Sequence, residues 1–347
     1  MFLSRYCAYS DLTLALLVFI IFCMYSITAG YRQLYASGEL ARRAELLQDI
    51  LSCCTLCPWK CGVNRVAGEL GRCRASAALS VAKALAHFGE EPALSGTRGS
   101  GTIFFSHCHL SCCFCQNYQI SQEGIGEIIS PEELAQKMLS LQEQGCHNIN
   151  LVSPTHYLPH IMQALCLAAA DGLIIPLVYN SNGYESVETL RLLDGVVDIY
   201  LPDSKYAEDG CAQKYSRAKE YIKTNETALQ EMYAQVGPLV MDGEGIALKG
   251  LIIRHLVLPE NLSQTEIVLK RIKACLGTQV HVSLMCQYQP VFQAPQHPEL
   301  QKRTSPEEYD RAIASLINLG FENGWLQDYE KIDGEFLPDF QKSDSWN

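Results

Sequence analysis

Between Gly101 and about Leu319, two hydrophobic patterns alternate along the chain. Six short runs are apolar at nearly every position: GTIFFS (101–106), NINLVS (148–153), LIIPLVY (173–179), VVDIYL (196–201), LIIRHLVL (251–258) and QVHVSLM (279–285). Such runs fit parallel strands buried on both faces, where no side of the strand meets water. Most are separated by segments whose apolar residues recur at helical spacing. Ser130-Pro131-Glu132-Glu133 predicts a helix start, with an N-cap, a proline in the first turn and a glutamate placed to close a capping box; Gly145 ends that helix. Ser305-Pro306-Glu307-Glu308 repeats the pattern and Gly320 ends it. Ser263 to Glu266 predicts a third box, ended by Gly277. Alternating strands and helices call for a parallel sheet with right-handed crossovers. Six units predict an α/β fold, a partial (β/α)6 TIM-like barrel.

Upstream of the barrel the pattern changes twice. Leu12 to Ala29 is an uncharged apolar run of 18 residues. As a helix it spans about 27 Å, barely a bilayer core. It fits a membrane anchor through residues 12–29, a targeting segment or an N-terminal extension. Arg32, Arg42 and Arg43 follow it and only Arg5 precedes it, so an anchor would leave the large C-terminal part in the cytoplasm. Leu40 to Leu51 reads as an amphipathic helix, and a cysteine-rich stretch runs on to about Arg74. The expected organisation is an apolar N-terminal helix or targeting segment (1–30), a helix with a Cys-rich metal module (31–98), the barrel (99–325) and a C-terminal tail (326–347).

Composition adds two constraints. The net charge of −11 argues against a nucleic-acid partner, because phosphate binding needs a basic surface. The 16 cysteines are unevenly used, and seven stand in two closely spaced sets. Closely spaced thiols in a chain of this length suggest metal binding in a reducing compartment more than a disulfide framework.

The first set is Cys108, Cys112 and Cys115, spaced C-x3-C-x2-C directly after the first strand. Three thiolates suit a four-iron cluster with one iron left open to bind a further molecule. Zinc in a structural site normally takes four ligands. His107, His109 and Cys113 are immediate neighbours of the three cysteines and badly placed to close a tetrahedron. The spacing, with Phe114 before the third cysteine, resembles the signature of the radical S-adenosylmethionine (radical SAM) superfamily. That resemblance implies a [4Fe-4S] cluster on Cys108, Cys112 and Cys115, with S-adenosylmethionine (SAM) on the open iron. It also implies a low-potential electron donor as partner.

In such barrels chemistry gathers at the C-terminal ends of the strands. Here the strand ends carry Thr155 and His156, Asn180 and Ser181, Asp203 and Lys205, and Met285 and Gln287; Arg254 lies within the fifth run. Against the needs of SAM, Lys205 and Arg254 are the candidate cations for its carboxylate. Asn180 and Ser181 are candidates for its ribose, Thr155 and His156 for the methionine end, and Met285 and Gln287 for the adenine side. Asn180-Ser181-Asn182-Gly183 is also good turn chemistry, and Arg254 could simply pair with Asp203.

The blocks SGTRGSGTIFFSHCHLSCCFCQNYQIS, NINLVSPTHYLP, PLVYNSNGYE, VDIYLPDSKY, IIRHLVLP and SLMCQYQP look like those of one branch, related to pyruvate formate-lyase activating enzyme. The resemblance covers roughly residues 31 to 320. It implies reductive cleavage of SAM to a 5′-deoxyadenosyl radical that abstracts hydrogen, with a glycyl-radical enzyme, another protein or a small molecule as its target; the alternative from a different class is a non-catalytic iron–sulfur or zinc protein for electron transfer or scaffolding. Asp203-Ser204-Lys205 matches the branch's Asp-x-Lys block and Arg254 its strand-five arginine. Ser153-Pro154-Thr155-His156 stands where many superfamily members carry Gly-Gly-Glu for the cofactor's amino group. The second set, Cys54, Cys57, Cys61 and Cys73, has the thiolate count of a closed metal site, which zinc and an auxiliary iron–sulfur cluster both fit. His87 to Pro92 precedes the first strand, and its Glu90-Glu91 pair either reaches the site or solvates a turn.

Overall fold

The computed structural model describes residues 29–331 and 337–342. The apolar run at 12–29, apart from Ala29, lies outside them. Among the described residues no helix is long and apolar enough to cross a membrane.

All six predicted runs form strands: β2 (Ser100–Phe105), β4 (Ile149–Val152), β5 (Leu177–Ser181), β6 (Ile199–Pro202), β8 (Ala247–Leu256) and β9 (His281–Met285). They pair in parallel in that order, with Asn150 opposite Val178, Asn180 opposite Leu201 and Arg254 opposite Ser283. Four further strands escaped the pattern. β1 (Leu79–His87) runs antiparallel to β2, β3 (Glu127–Ile129) pairs with β1, β7 (Val240–Met241) pairs with β8, and β10 (Gly324–Leu326) extends the sheet beyond β9.

Strand residues alternate between two environments, as the pleat requires. One face presents Ile103, Ile149, Leu151, Leu177, Tyr179 and Ile253 to the helices, where Leu134, Met138, Ile161, Leu165 and Leu269 complete the main core. The opposite face lines the lumen. At the floor, Val178, Ile199, Leu201 and Ile252 pack against Ala93 and Leu94. Those two belong to a strap between β1 and β2 that crosses under the barrel. Above that layer the inward positions turn polar, with Asn150, Asn180 and Arg254.

Two predicted capping boxes are present in full. Ser130 and Ser305 accept the amides of Glu133 and Glu308, whose carboxylates bond back. The third is not. The helix Thr265–Leu276 starts after Gln264, which is left-handed and gives no side-chain cap. Ser263 is fully buried, and its hydroxyl instead accepts the Leu258 amide and meets Thr265, so the strand end claims it before the helix can. The amphipathic helix expected at 40–51 runs Glu39–Ile50 and packs along the helix Leu158–Ala170.

Candidate active site

β2 delivers the chain straight into the cysteine loop. At its exit His107 turns left-handed, with φ of 70°, and Ser153 does the same at the exit of β4, with φ of 55°. Non-glycine residues in this region are strained, and such strain tends to collect at functional sites. The loop is pinned on three sides. His107 donates its amide to the Ile120 carbonyl, Cys113 to Tyr215 and Ser111 to Ser216. Phe114 packs edge-on against Tyr288 at 5.8 Å.

Each thiol of the triplet meets a polar side chain from a different element. Asn182 donates to Cys108 Sγ at 3.5 Å, Ser216 to Cys112 Sγ at 2.9 Å, and Ser121 pairs with Cys115 Sγ at 3.2 Å. The Leu110 amide also donates to Cys108 Sγ at 3.4 Å. Donors aimed at sulfur favour the thiolate and tune a cluster bound there. Burial works the other way in the metal-free protein. It pushes the Cys108 thiol up to about 12 and Cys115 to about 11. Cys112 is also raised by burial, although the Lys205 charge and Ser216 pull against the rise. Metal binding must therefore displace protons here. Among the described residues no three ligand-type side chains converge on a single ion.

Facing the loop is a buried charge network. Lys205 Nζ bonds Asp203 Oδ2 at 2.5 Å, and Arg254 Nε bonds Asp203 Oδ1 at 3.2 Å. Arg254 also donates to Asn180 Oδ1 and, at 3.4 Å, to Glu90. Burial alone would raise the Asp203 carboxyl, but Lys205 and Arg254 outweigh it and hold it below the usual range. Glu90 and Glu91 are instead raised by burial, against the pull of Arg254. Glu90 further accepts from Asn150 at 3.0 Å. The acid pair thus reaches into the lumen. In the sequence alone its destination was open, since two glutamates before a proline also suit an exposed turn.

The other candidates fall into distinct surroundings. Thr155 is fully buried and donates to Glu185 at 2.9 Å; the His156 ring bonds the Ser106 carbonyl at 2.8 Å beneath the loop. Ser181 accepts the Gly183 amide. Gln287 is held in a glutamine network with Gln116 and Gln327. Met285 ends β9, half-buried, next to it. Asn182, Ser121 and Ser216 went unassigned at the sequence level. Ser121 lies in the same block as the cysteines, but Ser216 is 101 positions beyond Cys115 and only the fold brings it there.

Residues 102–243 match the model of the radical SAM superfamily. An uncharacterised protein of Methanocaldococcus jannaschii is 35% identical over 292 residues, covering 80% of this chain and 78% of the relative. The chain belongs to the radical SAM superfamily. It is therefore an enzyme of a class that uses a [4Fe-4S] cluster and SAM and draws on a reductant. Among solved structures it is similar to TYW1 with a lysine-pyruvate adduct bound, at 12% identity, 62% of this chain, 73% of that chain and a TM-score of 0.41. It is also similar to HydG, a maturase of the [FeFe]-hydrogenase, at 14% identity, 67% of this chain, 52% of that chain and a TM-score of 0.46.

Proposed function

We propose that this radical SAM enzyme cleaves SAM reductively at Cys108, Cys112 and Cys115 and uses the resulting radical to abstract hydrogen from a protein partner. The carrying observation is the meeting of three donor-ringed thiols with the Asp203, Lys205 and Arg254 network across one barrel mouth. When bound, the cluster and SAM supply the electron transfer and the C–S cleavage that yield methionine and a 5′-deoxyadenosyl radical. The three cysteines hold the cluster. Lys205, close enough to Cys112 for its charge to favour the thiolate, is the cation best placed for a carboxylate beside the open iron. Arg254 backs it, with guanidinium hydrogens beyond those given to Asp203, Glu90 and Asn180. Asn180 and Ser181 remain the ribose candidates, and Met285 and Gln287 the adenine side. Thr155 and His156, bonded to Glu185 and Ser106, would act by shaping the wall at the methionine end. Cys54, Cys57, Cys61 and Cys73 are read as a second metal site, for zinc or an auxiliary iron–sulfur cluster.

The activating-enzyme blocks favour a glycyl-radical enzyme as the partner. A cytoplasmic barrel suits chemistry that needs SAM and a low-potential electron donor. Anaerobically reconstituted, reduced protein should convert SAM to 5′-deoxyadenosine, and a triple alanine variant at Cys108, Cys112 and Cys115 should make none. Absence of product from fully loaded wild type would sink the cleavage reading. A glycyl doublet in the paramagnetic resonance spectrum of a partner marks activation; product without any such doublet points to another substrate.

A further inference from the structure

The cysteine stretch before β1 repeats the local design of the catalytic loop. In the catalytic loop the Leu110 amide donates to the Cys108 sulfur at 3.4 Å, and the Asn117 backbone lies close enough to the Cys115 sulfur to favour its thiolate, two residues on in each case. In the N-terminal stretch the Trp59 backbone lies close enough to the Cys57 sulfur, and the Ala75 backbone to the Cys73 sulfur, to favour the thiolate, again at a spacing of two. A backbone donor held against sulfur stabilises a thiolate and gives little to a buried neutral thiol. Cys54, Cys57 and Cys73 are buried, all four thiols are free, and Cys73 lies within electrostatic reach of Cys54, Cys57 and Cys61. The turn is knitted by Gly62 donating to the Cys54 carbonyl and Cys54 to Val63, both at 3.0 Å. A Cβ on Gly71 would sit 2.6 Å from Cys61 Sγ, so that position is kept bare for the sulfur.

Trp59 joins the two sets. It follows Cys57 by two residues, and its indole N–H donates to the carbonyl of His109, the residue after Cys108, at 2.8 Å. Its ring lies between the Arg72 guanidinium, 4.6 Å from the centroid, and Tyr184 at 6.0 Å. Tyr184 stacks on His109 and donates its amide to Asn182, whose side chain bonds Cys108 Sγ. A shift at Cys57 therefore reaches Cys108 along two routes, one through Trp59 to the His109 carbonyl and one through Trp59, Tyr184 and Asn182.

We propose that Cys54, Cys57, Cys61 and Cys73 form a thiolate metal centre that seats the catalytic cysteine loop, with Trp59 as the positioning residue between them. The inference rests on the reading of Cys108, Cys112 and Cys115 as the cluster site. The centre takes a thiolate-loving metal, either an iron–sulfur cluster or zinc. Loading it fixes Cys57, hence Trp59, hence the His109 carbonyl beside Cys108.

The test uses the full chain, purified and reconstituted without oxygen, as wild type, Cys61→Ala, Trp59→Phe and the triple alanine variant of the catalytic set. Iron, sulfide and zinc are measured on each. Cys61 is exposed, so its replacement spares the core, and Trp59→Phe keeps the ring while removing the donor. Expected is metal beyond one four-iron cluster in wild type, retained in the triple variant and diminished in Cys61→Ala. Extra iron with sulfide identifies a cluster; one zinc per chain identifies the other source. Both Cys61→Ala and Trp59→Phe should alter the resonance spectrum of the reduced catalytic cluster and weaken SAM binding about fivefold, as loss of one positioning hydrogen bond implies. No metal beyond the catalytic cluster overturns the site. Extra metal with an unchanged spectrum and SAM affinity in both variants overturns the coupling. Loss of nothing in the triple variant would instead strike the function proposed above.

Discussion

At the scale of single residues the barrel mouth is a contest between burial and charge. Burial wins at Glu185. Its side chain is buried beneath the loop, accepts from Thr155 and Tyr179, and has no cation to hold it ionised, so its carboxyl rises to about 8. His109 lies 3.9 Å away, but burial pushes that ring down to about 4, so near neutral pH the two are not an ion pair. The linkage sign follows. The folded protein holds the Glu185 proton more tightly than the unfolded chain, whose carboxyl titrates near the ordinary value. The benefit is complete in acid and fades as pH rises from about 4.5 through about 8. Glu185→Gln keeps the shape and removes the titration. It should be more stable than wild type at pH 8, by about 1 kcal/mol or more, and close to it at pH 5. Urea unfolding at the two pH values checks this; an equal effect at both would show that Glu185 ionises without cost. Asp203 behaves oppositely because two cations face it, which is why one buried acid marks a scaffold position and the other a charged site.

At the scale of elements, legibility followed burial. The six inner strands were readable because each is covered on both faces and so is apolar at nearly every position. The strands β3, β7 and β10 are short and mostly exposed or half-buried, and nothing in their residues separates them from loop. The triplet was readable because its cysteines are close in sequence, whereas Asn182 and Ser216 reach the same sulfurs only through the fold. The strap between β1 and β2 is the clearest case of hidden information. Pro92–Ser95 is a single turn of helix, too short for any periodic signal. Yet Leu94 is fully buried against the lumen floor, and Asn148 bonds its carbonyl at 2.9 Å. The strap fixes the height at which Glu90 meets Arg254 and Asn150. Leu94→Ala should cost about 2–4 kcal/mol in urea unfolding, the range for a buried leucine that leaves a partly collapsed cavity. It should also weaken SAM binding although residue 94 touches no rim group. Calorimetry at a temperature where the variant stays folded separates the two effects, and unchanged affinity would show that Arg254 needs no support from below.

At the scale of the whole molecule, the two ends of the barrel have different work. The cysteine loop and the Asp203 network stand at the C-terminal ends of the strands. The chain from Ala29 to Ala36 docks at the other end: the Gly30 amide donates to Asp198 Oδ1 at 2.8 Å, Tyr31 bonds the Ile175 carbonyl at 2.9 Å, and Arg32 bonds Ala169 at 2.7 Å. Asp198 also accepts the Leu177 amide at the start of β5 and is raised by burial to about 6. Gly30 cannot be replaced without strain, since a Cβ there would meet the Gly195 carbonyl. The helix Glu39–Ile50 then carries the chain up the outside of the barrel to the second cysteine set. The described chain thus enters at the end of the barrel away from the cysteine loop. Two truncations separate these roles. Removing residues 1–28 should leave melting temperature and 5′-deoxyadenosine yield unchanged. Removing residues 1–38 also strips the fully buried Tyr31 and the Gly30 amide that Asp198 accepts, and should cost about 3 kcal/mol or more. For a chain of this size that lowers the melting temperature by several degrees. Loss of yield from the shorter truncation, with its melting temperature intact, would mean that residues 1–28 act in catalysis.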